Sequence, residues 1–139
     1  MRLNLVVLQI IKIMQYKTAF VTLASVKLEE TVAFYQALLE QSPDPYLPQK
    51  YAEFQLQGGL KLGIFQPQAT HHTEFSQPEK SAMSLCMEVV NLESAIAQLT
   101  ELGYPPPHEV INASHGQETY AYDPEGNRLI LHRSHQLAT

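Results

Sequence analysis

The side chains that could do chemistry in this sequence are six histidines, one cysteine and some of its 14 Asp and Glu residues. A divalent metal needs imidazole or carboxylate donors that converge on one point. A general base needs an imidazole or carboxylate within reach of the proton it removes. His71 and His72 are adjacent, so they cannot readily converge from a strand, and they stand in a polar loop as a solvated pair. His108 and His135 read as surface residues. His115 precedes Gly116 in a loop before a strand, and His132 falls inside a later strand. With Glu53 or Glu118 these two would make a displaced metal or general-base site, although their spacing gives no support for convergence. Cys86 would need a base or a helix N-terminus beside it to become a nucleophile. The sequence shows no such neighbour, and a small buried hydrophobe is the default.

The chain that must position these groups has 139 residues, the usual size of one domain. Apolar residues make up 45%, enough for an ordinary globular core. Lys plus Arg total 9 against 14 acidic residues, for a net charge of -5, and no basic run exists. Nucleic-acid binding through phosphates is therefore not expected. The single cysteine excludes an internal disulfide framework and suits the cytoplasm. The segment from Met1 to Gln15 is too short and too interrupted by Gln9 and Lys12 to span a membrane, and it makes a poor signal peptide. Leu3, Val6, Val7, Ile10 and Met14 share one helical face. Residues 1–15 therefore read as an N-terminal extension, either a packed element or a stretch upstream of a start at Met14.

From Tyr16 onward the pattern repeats. Tyr16 to Ser25 alternates and is rich in β-formers, which predicts a strand. Leu28, Val32, Tyr35 and Leu39 recur at helical spacing, with Glu29 and Glu30 in the first turn. Pro43, Pro45 and Pro48 break the chain. Strands are predicted over Tyr51 to Gln57 and Leu60 to Gln66, joined by Gly58-Gly59. Pro67 to Lys80 reads as a polar, irregular loop. Then Ser81 to Val89 alternates as a strand. Asn91 is a helix N-cap, an apolar stripe runs through Leu92, Ala95, Ile96, Leu99 and Leu102, and Gly103 stops the helix. Strands are predicted near Glu109 to Ile111, Glu118 to Tyr122 and Arg128 to Arg133, with a tight turn at Asp123 to Asn127. Leu28 and Leu92, Val32 and Ile96, Tyr35 and Leu99 are each 64 residues apart. Two βαβββ units follow, about 16–66 and 81–134. Neither could bury its sheet face alone, so the two should pack together as one domain over 16–139.

Strand parity separates two faces. Ala19, Val21 and Leu23, Leu60, Leu62 and Ile64, Met83, Leu85 and Met87, and Leu129 and Leu131 form an apolar face for the helices. The opposite face carries Thr18, Phe20 and Thr22, then Lys61, Gly63 and Phe65, then Ala82, Ser84 and Cys86, then Arg128, Ile130 and His132. Tyr120 and Tyr122 share a face and would line the cleft or its edge. An apolar cleft with a few polar groups is the usual make-up of a small-ligand site. A dimer interface or a half-solvated sheet is the plainer reading of the same face.

The stretches Val21 to Glu40, Met87 to Gly103 and Tyr122 to His132 (YDPEGNRLILH) resemble the vicinal oxygen chelate superfamily. It includes glyoxalase I, extradiol dioxygenases, and bleomycin- and fosfomycin-resistance proteins. The likeness covers nearly all of Tyr16 to Ser134, with Phe34-Tyr35 and the DPEGN turn its most specific parts. It implies an α+β fold of two βαβββ repeats whose curved mixed sheets enclose a cleft. Metal-dependent members hold a divalent ion with His or Glu at four strand positions, two per repeat. By motif register these fall on Phe20, Gly63, Ser84 and Ile130. Phe, Gly and Ile supply no donor and a Ser hydroxyl is a poor one. No metal and no cofactor are therefore expected, against metal-assisted chemistry of the usual kind.

What the resemblance then implies is a metal-independent small-molecule binder of the bleomycin-resistance type, usually a homodimer. Phe20, Thr22, Lys61, Gly63, Ser84, Cys86, His115, Tyr122, Arg128, Ile130 and His132 are its candidate ligand-binding residues. His115 stands where relatives often carry a ligand-lining aromatic. Phe20 would stack on a flat or apolar group. Lys61 and Arg128 would favour an anionic one, unless they merely snorkel at strand ends. The alternatives are a metal-dependent lyase, isomerase or dioxygenase using the displaced site, and an interaction module whose mixed face is filled by its own aromatics.

Overall fold

The computed structural model of the chain describes residues 13–135, and what was read into the extension at residues 1–12 lies outside them. Leu28 opens the first helix, α1 (Leu28–Leu39), and Leu92 opens the second, α2 (Leu92–Glu101), so the 64-residue offset is kept. The Asn91 side chain caps α2 by accepting from the Ser94 amide at 2.8 Å, and α1 starts without a side-chain cap.

The first half runs β1 (Val21–Ala24), α1, β2 (Tyr46–Leu47), β3 (Tyr51–Gln55) and β4 (Lys61–Phe65). The second runs β5 (Leu85–Glu88), α2, β6 (Ile111–Ala113), β7 (Gly116–Tyr122) and β8 (Arg128–Ser134). Each half forms a four-stranded mixed sheet, in the orders β1-β4-β3-β2 and β5-β8-β7-β6. The first strand of each half is parallel to the last, and the other pairs are antiparallel. This is the α+β architecture of two βαβββ units, and neither sheet closes on itself.

β5 starts at Leu85 and not Ser81, because its ladder with β8 begins there, and β6 and β7 meet across Ala113 and Gly116, later and earlier than expected; three further differences have local causes. The first strand begins at Val21 and not Tyr16, because β4 is its one partner and the ladder ends at Val21 opposite Leu62. A short β2 forms among the prolines by pairing Tyr46 with Ala52 and Leu47 with Tyr51. Glu29 of α1 holds it, accepting from the Tyr46 hydroxyl and from the Gln49 amide. The polar loop coils into short 3-10 turns at Ala69–Phe75 and Pro78–Lys80.

Parity predicted the centre of the buried face and failed at its ends, where Ala19, Leu60 and Met83 fall just outside the strands and are exposed. Leu62, Ile64, Leu129 and Leu131 are at most 2% exposed beneath the helices. Both halves share one core, in which Phe34 stands edge-on to Tyr35 and to Tyr104. The Gln98 amide of α2 donates to the last carbonyls of α1, Ala37 and Leu38, both at 3.2 Å. Asp123 closes the joint: its Oδ1 accepts the amides of Glu125, Gly126 and Asn127, and its Oδ2 accepts the Tyr35 hydroxyl at 2.9 Å. Among the described residues no helix is long and apolar enough to cross a membrane.

Candidate functional site

The two sheets meet along the open edges of β1 and β5, and a cavity of about 640 Å3 lies there. β1 supplies one wall, Ser84, Leu85 and Arg128 another, and the segment 74–83 that links the halves supplies a third. Most of the lining is apolar. Phe75 from the linking segment stands edge-on to Phe65 of β4, with centroids 5.4 Å apart at 85°. Volume and lining match a small-ligand site.

Arg128 holds the linking segment in place. Its Nε donates to Ser84 Oγ at 2.6 Å, Nη1 to the Glu79 carbonyl at 3.2 Å, and Nη2 to the carbonyls of Ser81 and Met83. Four of the five guanidinium N–H groups are thus used, all on uncharged oxygens.

Of the nominated residues, Thr22, Ser84 and Arg128 line this cavity. Cys86 lines a second one of about 620 Å3, between β5, the C-terminal end of α1 and the β3–β4 hairpin. Leu85 is common to both, so the two abut at β5. Cys86 is exposed and not the buried hydrophobe its sequence context suggested, because it stands on the outer face of β5; partial desolvation first, then Glu118 and Glu88, push its thiol above the usual range, which opposes thiolate chemistry. Phe20, Lys61, Gly63, His115, Tyr122, Ile130 and His132 line neither cavity. Lys61 is paired with Glu53 at 3.7 Å, and Phe20 stands 43% exposed just before β1. Sequence reasoning missed Phe75, Glu74 and Lys80, because the linking segment has no periodicity to read. Phe65 was legible by parity, two residues beyond Gly63 on the same face.

The histidine pair does come together. The rings of His115 and His132 stack with centroids 5.0 Å apart and planes at 17°. The acid bonded to His132 is Glu88, whose Oε2 lies 2.5 Å from His132 Nδ1 and whose Oε1 accepts the Ser134 amide; Glu118 stands directly opposite His132 in the β7–β8 ladder, and Glu53 belongs to the other sheet. His132 Nε2 is buried without a partner and faces Gly116. Nearly parallel rings keep their nitrogen lone pairs in parallel planes, so they do not converge on an ion.

The hydrogen bond to His132, and next the one from Ser134, lower the Glu88 carboxyl from 4.5 to about 2. A depressed carboxyl stabilises the fold above its unfolded pKa, and that stability is lost as pH falls through the folded one. Wild-type stability is therefore expected to decline from about pH 4.5 toward about pH 2. Glu88→Gln should flatten that part of the curve, as read by urea midpoints across the range.

The four positions that would carry metal ligands sit equivalently in the two halves. β1 and β4 pair Thr22 with Gly63, and β5 and β8 pair Cys86 with Ile130. Phe20 with Gly63, and Ser84 with Ile130, are therefore diagonal neighbours in matching places. Their chemistry does not suit a divalent ion. Ser84 Oγ already accepts from Arg128. A β-carbon at Gly63 would lie 2.6 Å from the Tyr51 hydroxyl, so the Tyr51 ring fills the space a longer side chain would need. Among the described residues no three His, Cys, Asp or Glu side chains are placed to hold a metal.

The chain has the fold of glyoxalase/bleomycin-resistance proteins. Among solved structures, a bleomycin-binding protein complexed with bleomycin aligns at 20% identity and TM-score 0.61, covering 86% of this chain and 100% of its own. The fosfomycin resistance protein FosX from Listeria monocytogenes aligns at 18% and 0.67, covering 88% and 96%. A glyoxalase-related enzyme from Fulvimarina pelagi aligns at 19% and 0.68, covering 86% and 89%. These likenesses show a shared fold. No family model and no curated protein matches the chain.

Proposed function

We propose that the chain is a metal-independent small-molecule-binding protein of the glyoxalase/bleomycin-resistance type, acting in the cytoplasm. The observation that carries this reading is the cavity at the β1–β5 seam, lined by Phe75 and framed by Thr22, Ser84 and Arg128. The donor-poor residues at Phe20, Gly63, Ser84 and Ile130 support metal independence. A bleomycin-binding protein shares the fold, so the fold is compatible with holding a ligand. A homodimer fits the same reading. Tyr46 and Leu47 on β2 and Ile111 on β6 are exposed apolar groups on outer edge strands, which a second copy would cover.

The test combines elemental analysis of the purified protein with thermal-shift screens of Mn, Fe, Co, Ni and Zn and of a small-molecule library. Library compounds bearing an aromatic group should raise the melting temperature, and the metals should not. Phe75→Ala should weaken any such compound on the order of tenfold, as loss of a buried aromatic contact does, while His115→Ala leaves it unchanged. Stoichiometric metal that raises the melting temperature would instead support a lyase, isomerase or dioxygenase working at a displaced site.

A further inference from the structure

We propose that the cavity selects an aromatic ligand bearing an acidic group, and that Arg128 is the residue that reads that group. The inference rests on the cavity being the ligand site. Arg128 is half-buried in its wall and has no carboxylate partner, whereas Arg133 is paired with Glu93 at 2.7 Å and Lys61 with Glu53 at 3.7 Å. All the oxygens Arg128 touches are neutral: the Ser84 hydroxyl and the carbonyls of Glu79, Ser81 and Met83. Those bonds satisfy its geometry and leave its charge uncompensated. One N–H of Nη1 is left over.

A cation at the wall of a mostly apolar cavity is poorly solvated. It attracts an oxyanion more strongly than the same charge does in water. The other charged groups in the lining are Lys80 and Glu74, so the cavity carries a net positive charge. The apolar part of the ligand is set by Phe65 and Phe75, whose edge-to-face pair presents ring surface to the space between β1 and the linking segment.

Matched probes test this: the carboxylic acids and the primary carboxamides of benzene, naphthalene and biphenyl, titrated calorimetrically at neutral pH. The readout is the ratio of acid to amide affinity on one scaffold. The acid is expected to bind on the order of tenfold tighter, as a charge-assisted hydrogen bond would give. Arg128→Met should bring the ratio close to one, and Glu74→Gln should hold or raise it. A role confined to fastening the linking segment would instead weaken acid and amide together and keep the ratio. Where Arg128→Met fails to fold, Arg128→Lys serves: charge without the fork preserves most of the preference. Equal binding of acid and amide to the wild type would overturn the anion inference while the cavity reading stands. No binding of any probe would overturn both.

Discussion

Asp123→Ala is expected to destabilise the fold by about 3 to 5 kcal/mol, a large fraction of the stability of an ordinary domain. Asp123 is 3% exposed and sits where the two halves join. One carboxylate oxygen gathers three amides of its own turn, and the other accepts Tyr35 Oη and Asn127 Nδ2, each at 2.9 Å. The alanine variant frees all of these at once and leaves the fully buried Tyr35 hydroxyl without an acceptor. Asn127 also donates to the Ala24 carbonyl, so the end of β1 is affected as well. Asp123→Asn should cost less, since an amide oxygen still serves the turn. Burial lifts the Asp123 carboxyl above its usual range, against the opposing pull of its hydrogen bonds. A raised carboxyl makes its full contribution below the unfolded pKa, and the contribution declines as pH rises through the folded one. Asp123→Asn removes that slope, so its deficit against wild type should shrink as pH rises. Chemical denaturation of the three proteins across pH checks both statements; an alanine variant within 1 kcal/mol of wild type would show that the joint does not depend on this carboxylate.

Gly116→Ala should be the next most damaging single change, about 2 to 4 kcal/mol. Gly116 begins β7 and lies between β6 and β8, opposite Ala113 and Ser134. A β-carbon there would stand 2.2 Å from the Arg133 carbonyl oxygen and 3.0 Å from both Ser134 Cα and His132 Nε2. Two of these are backbone atoms of a paired strand and cannot swing aside, so the β7–β8 ladder must open at that end. The same change at Gly63 meets the Tyr51 hydroxyl and ring, which can rotate, and should cost clearly less. Urea unfolding ranks the two. Amide exchange at Ser134 and His135 should quicken only for the first, because the disturbance is confined to that end of the ladder.

The linear pattern carried a great deal. The 64-residue echo of Leu28, Val32 and Tyr35 in Leu92, Ile96 and Leu99 implied two like units. Period-two alternation placed Leu62, Ile64, Leu129 and Leu131 in the core. Asn91 as a cap and DPEGN as a turn were legible from chain-local chemistry. These features depend on near neighbours, so one dimension is enough to show them.

The site was less legible. Parity put most of the eleven candidates on one face of two sheets, but a face is not a cavity. The cavity between β1 and the start of β5 keeps Thr22, Ser84 and Arg128, a second one keeps Cys86, and both leave Phe20 and His132 outside. Phe75 and Lys80 come from a segment with no period, and their place depends on the four hydrogen bonds Arg128 makes across more than 40 residues of chain. His132 was visible as a titratable group on a strand, yet its partner Glu88 belongs to the parallel neighbour β5, whose register no local signal states. Residue types and their periods therefore determined the fold and the poverty of metal donors at four positions. The meeting of two sheet edges, a long-range event, decided which of the candidate residues share a pocket.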